Sequence, residues 1–263
     1  MYILGKPETT VNVACGIDKQ LVLQTLASEI TTTEETEFIE EKSSFFSKRV
    51  RALRGLALEE PTLSPVKAAE IADQLGEILA QKWDWLTEQN EALGKWISRW
   101  RFFTKHASDY LLDEETIKKT TQMAAFGKTK ISEVLEQNLV ELLEMNMDPQ
   151  TIKAFHKEAP ARFDAPSGVS HPIQYEESGA YVEVRLQEIF GLLASPKIIF
   201  GKQQLAFRLL GPNFRPVQVT SDLANFWKSG YAEVRKELRS RYPKHSWPED
   251  PYTAKPEAKG RRR

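Results

Sequence analysis

The tripeptide Gly127-Lys128-Thr129 has the residue types that end the phosphate-binding loop of nucleotide hydrolases. Such a loop also needs a glycine five residues before Gly127, a strand in front of it and a helix behind it. Position 122 holds Gln, and the preceding segment has the periodicity of a helix. The acidic stretch at 113–116 is typical of a helix start, where carboxylates favour the positive end of the dipole, and not of a magnesium-binding strand end. The sequence therefore predicts no ATP site here.

Residue types that serve metal binding and covalent catalysis are scattered along the chain. None of the four histidines has a second His or Cys at ligand spacing: His106, His156, His171 and His245. Cys15 is the single cysteine, so an intrachain disulfide is excluded and a small buried core residue is its predicted role. Ser167 lies in Pro-Ser-Gly and lacks the Gly-x-Ser-x-Gly elbow of a hydrolase nucleophile. We expect no self-contained catalysis and no metal site.

Positive charge is concentrated at the C-terminal end. From position 228 onward there are 11 Lys and Arg against 5 Asp and Glu, whereas residues 1–227 hold 25 against 32. A basic end on an acidic body favours phosphate binding, and a solvated terminal helix with an Arg-rich tail is an alternative that the sequence leaves open. The last stretch, AKGRRR at 258–263, is predicted to be disordered in either case.

Six basic residues are the candidate phosphate contacts. Arg235 and Arg239 lie four apart on one face of a predicted terminal helix, and such groups neutralise phosphates and give salt-dependent binding. Glu233 and Glu237 dilute this stripe, so an ordinary solvated face is an equally open alternative. The full candidate set is Arg215, Arg235, Lys236, Arg239, Arg241 and Lys244.

Two other groups could in principle bind nucleic acid, and for each a structural role is favoured. Five glutamates between 34 and 41 precede four basic residues between 48 and 54, which predicts opposite charges across an antiparallel strand pair and not a basic groove. Tryptophans could stack on bases, but their helical spacing favours core packing. These tryptophans are Trp83, Trp85, Trp96 and Trp100.

Three regions with different periodicity must position these groups. Residues 1–60 are predicted to be β-rich, with a strand at 10–14, a helix capped by Asp18 and the charged hairpin, which are few strands for a closed barrel. Residues 61–160 are predicted to be helical. One helix begins at Ser64-Pro65, a second carries 93–103, a third carries Ile131 to Leu143 on one face, and a fourth opens at Asp148-Pro149.

The last region, 161–263, is predicted to be a small mixed β domain. Alternating runs at 173–175, 181–186, 205–209 and 216–219 predict strands, and a helical pattern runs from 221 to 241. The prolines at 243, 248 and 251 then exclude a continuous helix. We expect residues 242–251 to form an extended arm whose Tyr242 and Trp247 pack against the rest of the protein.

Composition sets the outer limits. The 263 residues are 41% hydrophobic and 28% charged, which is typical of a globular protein and excludes a mainly disordered or fibrous chain. No apolar run approaches the length of a membrane span, and the first residues do not form a secretory signal. The single cysteine fits a reducing cytoplasm, and we expect a cytoplasmic protein without a membrane partner.

Four stretches closely resemble the C-terminal region of bacterial HrpB-type ATP-dependent helicases. They are YVEVRLQEIFG at 181–191, RPVQVTSDL at 215–223, FWKSGYAEVRKEL at 226–238 and RYPKHSWPEDP at 241–251, of which the last is the most specific. The strong resemblance covers about residues 163–252, and the first 160 residues resemble the same family more weakly.

This resemblance implies a part of a DExH-box RNA helicase of the DEAH/RHA class that begins inside an OB-like region. Such enzymes use ATP and Mg²⁺ in RecA-like motor domains, whose motifs are missing from this sequence. The implied fold is α+β: a partial OB-like β segment at 1–60, a helical region at 61–160 and the C-terminal domain with a basic tail at 161–263. The implied role is accessory, contacting RNA or ribonucleoprotein or bracing the motor, without a cofactor of its own. A stand-alone interaction module that docks on a separate helicase motor chain is the alternative.

Overall fold

The computed structural model describes residues 16–58, 62–107 and 110–258. The predicted strand at 10–14, Cys15 and the residues after Ala258 lie outside this part. The chain divides into two units, one formed by the residues up to Asp73 together with Ala125–Val134, the other by Gln74–Ala124 and Leu135 onward. No helix in the described ranges has the length and apolar character needed to cross a bilayer.

The first unit contains the predicted charged hairpin. Helix α1 (Lys19–Thr25) begins at Asp18, whose carboxylate accepts from the amides of Gln20 and Leu21 at 2.7 and 3.2 Å. Strands β1 (Ile30–Ile39) and β2 (Ser44–Leu53) are antiparallel, with β3 (Leu56–Ala57) and β4 (Thr62–Pro65) paired to β2. The charges oppose each other as predicted, with Glu34 3.5 Å from Arg49 and Glu37 3.4 Å from Lys48. The described strands form an open sheet.

One predicted helix start in this unit is wrong. Ser64 and Pro65 belong to β4, where they pair with Ser47 and Phe46 of β2, and the helix α2 (Ala68–Gln81) begins three residues later. Ser-Pro suits a helix start, but proline also fits an edge strand. Proline has no amide proton to donate, and on the open side of an edge strand no such donor is needed. The neighbouring strand β2 decides between the two.

Short helices occupy the middle of the chain. They are α3 (Trp83–Gln89), α4 (Glu91–His106), α5 (Glu114–Ala125), α6 (Ile131–Leu135), α7 (Leu139–Met145) and α8 (Pro149–Glu158). The predicted continuous helix from Ile131 to Leu143 is therefore wrong, because it is two helices. The Asn138 side chain caps α7 by accepting from the amide of Glu141. An Asn that bonds a nearby backbone amide in this way favours a new helix start over the continuation of the preceding helix.

An aromatic core lies along α4 in the second unit. Trp96 and Trp100 stack with ring centroids 5.2 Å apart, and both meet Phe155 of α8 edge-on at 5.0 Å. The core prediction is confirmed for Trp83, Trp96 and Trp100, which are buried, whereas Trp85 is 39% exposed. Aromatic rings in such offset and edge-on pairs stabilise the fold by more than the burial of their apolar surface alone.

A five-stranded mixed sheet forms the C-terminal part. Its spatial order is β11-β10-β7-β6-β5, and β10 runs parallel to β7 while the other neighbours are antiparallel. The strands are β5 (Arg162–Asp164), β6 (Ser170–Glu176), β7 (Gly179–Arg185), β10 (Ala206–Leu210) and β11 (Pro216–Thr220), with the separate pair β8 (Lys197–Ile198) and β9 (Gln203–Gln204). The α+β class is confirmed.

The terminal helix and the arm complete this part. A short helix α9 (Leu223–Asn225) continues through a π-helical turn at Phe226–Gly230 into α10 (Tyr231–Arg241). A Cβ at Gly230 would lie 2.9 Å from the Phe226 ring, so this turn requires glycine. The docked arm is confirmed for Trp247, which is 7% exposed and donates from Nε1 to the Tyr242 carbonyl at 2.8 Å.

Candidate nucleic-acid interface

The arm is fastened to α10 by two side chains of that helix. The Arg235 guanidinium donates to the Trp247 carbonyl and to the Glu249 carboxylate, both at 2.9 Å. The Tyr231 hydroxyl donates to the Pro248 carbonyl at 2.8 Å, and burial raises the pKa of Tyr231 to about 12. One candidate phosphate contact, Arg235, is thus already engaged inside the protein and only 21% exposed at its side chain.

A groove beside the arm carries the remaining positive charge of α10. Its lining consists of Arg235, Lys236, Arg239, Ser240 and Pro243. Lys236 and Arg239 are exposed, and neither has a carboxylate within ion-pair distance among the described residues. Two cations without ion pairs, one helical turn apart, can each bind a phosphate oxygen. Arg235 also lines the groove, but its charge is already paired with Glu249.

The other three candidates lie outside the lining of this groove. Arg241 is exposed and pairs with Glu237 at 3.1 Å, so part of its charge is neutralised. Lys244 is exposed in the arm and has no ion pair in the described part. Arg215 is exposed in the turn between β10 and β11, next to Phe214, which is 69% exposed and has a φ of +60°. The structure therefore brings three of the six candidates together.

The Gly-Lys-Thr tripeptide lies in a turn between two helices. It connects α5 to α6, and Gly127 takes a φ of +72° that favours glycine. The amide of Thr129 donates to the Glu133 carboxylate at 2.9 Å, and this hydrogen bond is the main cause that lowers the pKa of Glu133. The strand that a phosphate-binding loop requires in front of it is a helix here, as the sequence predicted.

Ser167 and His171 both contact Glu188, Ser167 at its backbone carbonyl and His171 at its buried carboxylate. Glu188 is 3% exposed, and its carboxylate contacts His171 Nε2 at 2.5 Å and Arg185 Nε at 2.7 Å. The Ser167 hydroxyl accepts from the amide of Val169, and its amide donates to the Glu188 carbonyl. This arrangement satisfies the buried charge. Within the described ranges there is also no cluster of three metal-ligating side chains.

Sequence reasoning missed one polar group, Arg99. It lies on the apolar face of α4, three residues after Trp96, and is 7% exposed. An arginine in register with Trp96 and Phe103 was the available signal, since charged residues are rarely buried without a partner.

Comparison with known proteins finds similarity to one kind of helicase. Residues 121–251 match the family HrpB_C, described as ATP-dependent helicase C-terminal. The chain is 45% identical over 100 residues to the ATP-dependent RNA helicase HrpB of Escherichia coli strain K12, which is 38% of this chain and 12% of the relative.

Two crystal structures are similar to most of the chain. That of the E. coli DExH-box NTPase HrpB has a TM-score of 0.63 and 26% identity, over 91% of this chain and 31% of that one. That of the E. coli DEAH/RHA helicase HrpB has a TM-score of 0.54 and 25% identity, over 83% and 29%. The chain thus spans less than a third of each protein that it matches.

Proposed function

Residues 121–251 form the C-terminal domain of an HrpB-type ATP-dependent helicase, and from this premise we propose that the chain is an accessory region that contacts RNA or ribonucleoprotein in the cytoplasm. The names RNA helicase and NTPase describe the complete relatives, and this chain covers only a minor part of each. ATP and Mg²⁺ belong in this proposal to the motor domains of such helicases. This region holds RNA or braces the motor.

The observation that carries this proposal is the pair Lys236 and Arg239. Both cations are exposed at one groove and lack an ion pair among the described residues, so binding a phosphate breaks no ion pair there. Arg235 and Arg241 would first have to leave Glu249 and Glu237. Phosphate neutralisation by Lys and Arg is the main source of sequence-independent affinity for nucleic acid.

The test is the binding of a labelled single-stranded RNA, followed by fluorescence anisotropy at about 50 and about 200 mM salt. We expect the double variant Lys236→Glu/Arg239→Glu to bind roughly tenfold or more weakly than the parent, with a salt slope smaller by about 1.4, since each phosphate contact on a single strand contributes about 0.7.

The matched control carries the same charge change elsewhere. Lys153 and Lys197 are exposed and have no ion pair in the described part, so Lys153→Glu/Lys197→Glu alters net charge equally and leaves the groove intact. The control is expected to keep most of the affinity. Equal weakening in both double variants would contradict the assignment of the groove and leave only a diffuse charge effect.

A second candidate function, docking on a separate motor chain, is favoured by the outer edge of β1. Ten residues long, this strand pairs with β2 on one side and has no strand partner on the other within the described ranges. Such an edge can accept a strand from another protein. Absence of RNA binding even at low salt would favour docking over RNA contact.

A further inference from the structure

A cavity of about 660 Å³ lies between α4 and β6 in the second unit. Its walls come from α3 and the first half of α4, from Asn138 and Val140 near the start of α7, and from residues 172–175 of β6. Cavities of this size hold small ligands or the side chains of a peptide. Nothing in the proposed RNA contact uses this cavity, which shares no residue with the groove on α10.

The buried Arg99 lines this cavity without a carboxylate partner in the described part of the chain. Its Nη2 contacts His156 Nδ1 at 2.9 Å, and its Nε is buried without an acceptor. The guanidinium stacks 4.1 Å above the Phe155 ring, and burial lowers the pKa of Arg99. Burying an arginine is costly, and the nearby Glu144 offsets only part of that cost, so an anion bound directly to the guanidinium would be stabilised by it.

A series of hydrogen bonds fixes the guanidinium in place. Arg99 donates to His156 Nδ1, so the proton of His156 lies on Nε2, which contacts the Glu144 carboxylate at 3.0 Å. The same Glu144 oxygen accepts from the Trp96 indole at 2.6 Å. Glu144 is thus held by two neighbours. It also favours the charged form of Arg99 by its own negative charge, although burial outweighs this effect on the pKa of Arg99.

The surroundings favour a single carboxylate over a polyanion. Glu88 and Glu91 stand at the rim of the cavity, and Lys95 there is already paired with Glu91. The repulsion from these glutamates grows with the number of negative charges on a ligand, so it disfavours a phosphate backbone more than a single carboxylate. Ala92, Val140 and Ile173 add apolar side chains to the lining for the residues that flank such a carboxylate.

One edge of β6 is free to hold such a segment. Its ladder with β5 ends at Pro172, and the Ile173 amide donates to the Ala161 carbonyl. Beyond Ile173 this side of β6 has no strand partner within the described ranges, and Gln174 and Tyr175 line the cavity. An extended peptide can hydrogen-bond such an edge.

We propose that this cavity binds a carboxylate-bearing segment of a partner polypeptide, with the carboxylate on Arg99 and the flanking backbone along β6. A side-chain carboxylate and a chain terminus offer the same chemistry. The partner is therefore defined by one carboxylate next to apolar residues. This inference goes beyond the RNA contact and stands without it.

The experiment follows the Arg99 Nε and Trp96 Nε1 resonances by NMR of the full chain during titration with short peptides. Leu-Asp-Leu capped at both ends carries a side-chain carboxylate, Leu-Asn-Leu with the same caps is its neutral match, and Leu-Leu with a free C-terminus tests the terminal source. We expect at least one acid peptide to bind roughly tenfold or more tightly than the neutral one, as charge-assisted hydrogen bonds do.

Two variants keep the proposal falsifiable. Arg99→Gln removes the positive charge. Ala92→Trp fills the cavity from an exposed position and leaves residue 99 as arginine. Both are expected to abolish binding, whereas Ala232→Trp, at an exposed site on α10 outside the lining, is expected to keep it. Equal binding of the neutral peptide, no binding of either acid at millimolar concentration, unchanged binding in Ala92→Trp, or the same shifts with a short RNA would each overturn the proposal.

Discussion

Neighbouring basic residues on α10 have different surroundings. Arg235 bonds a carbonyl and a carboxylate of the arm, and Lys236 beside it is exposed in the groove without an ion pair in the described part. Their types and spacing are visible in the sequence. The pairing is not, because Glu249 lies 14 residues further on, in an arm whose path depends on tertiary packing.

The first prediction concerns Arg235. Arg235→Gln removes the charge-assisted bonds that hold the arm, and we expect the free energy of unfolding to fall by about 1.5–3 kcal/mol. Urea unfolding followed by tryptophan fluorescence measures this loss, since Trp247 is docked by the same contact. The control Lys236→Gln changes an exposed side chain and is expected to stay within about 0.5 kcal/mol of the parent. Equal stability of the two variants would show that the arm is held by other contacts.

At the scale of elements, Asp148 sets the start of α8. Its carboxylate accepts from the Thr151 amide at 2.7 Å and the Thr151 hydroxyl at 2.9 Å, and these bonds, the amide first, lower the pKa of Asp148 below its ordinary 3.8. A carboxyl whose pKa is lower in the folded state stabilises the fold above its unfolded pKa. This contribution is lost as pH falls through the folded pKa.

The second prediction follows from this sign. The variant Asp148→Asn keeps a side chain that can cap the helix, but this side chain does not titrate. We expect the parent to exceed the variant in unfolding temperature near pH 6, by a margin that shrinks as pH falls below about 4. Thermal unfolding across this range measures the margin. A constant difference between the two proteins would contradict the ionised cap.

Elements whose signals are local could be predicted, and those decided by neighbours could not. The apolar spacing of α4 and the Asp-Pro start of α8 are complete within a few residues, and both helices form as expected. Ser64 and Pro65 instead pair with β2, and Asn138 interrupts a periodic apolar face. The strand pairing outweighs the local propensity of Ser64 and Pro65. The cap at Asn138 is a local signal, since its partner Glu141 is three residues on, but the continuous apolar face around it predicted one helix.

The burial of Arg99 could be expected from its register with Trp96 and Phe103. That no carboxylate in the described part lies within ion-pair distance of it could not, since only the fold shows which side chains face it.

At the scale of the whole molecule, we propose that this region contacts RNA or braces a motor, and that ATP hydrolysis belongs to the motor. The match of residues 121–251 to a helicase C-terminal family and the basic groove both fit an accessory part. The division of the sequence at residues 60 and 160 stays a prediction. The central claim is that this region works without nucleotide chemistry of its own.

The measurement that tests this claim most directly is the release of inorganic phosphate from ATP by the purified chain, with Mg²⁺ and with or without single-stranded RNA. We expect phosphate release at the same rate as in a protein-free blank under both conditions. Lys128→Ala is the control, because Lys128 is the lysine of the Gly-Lys-Thr turn. Phosphate release that scales with protein, stops on removal of Mg²⁺ and disappears in Lys128→Ala would contradict the account.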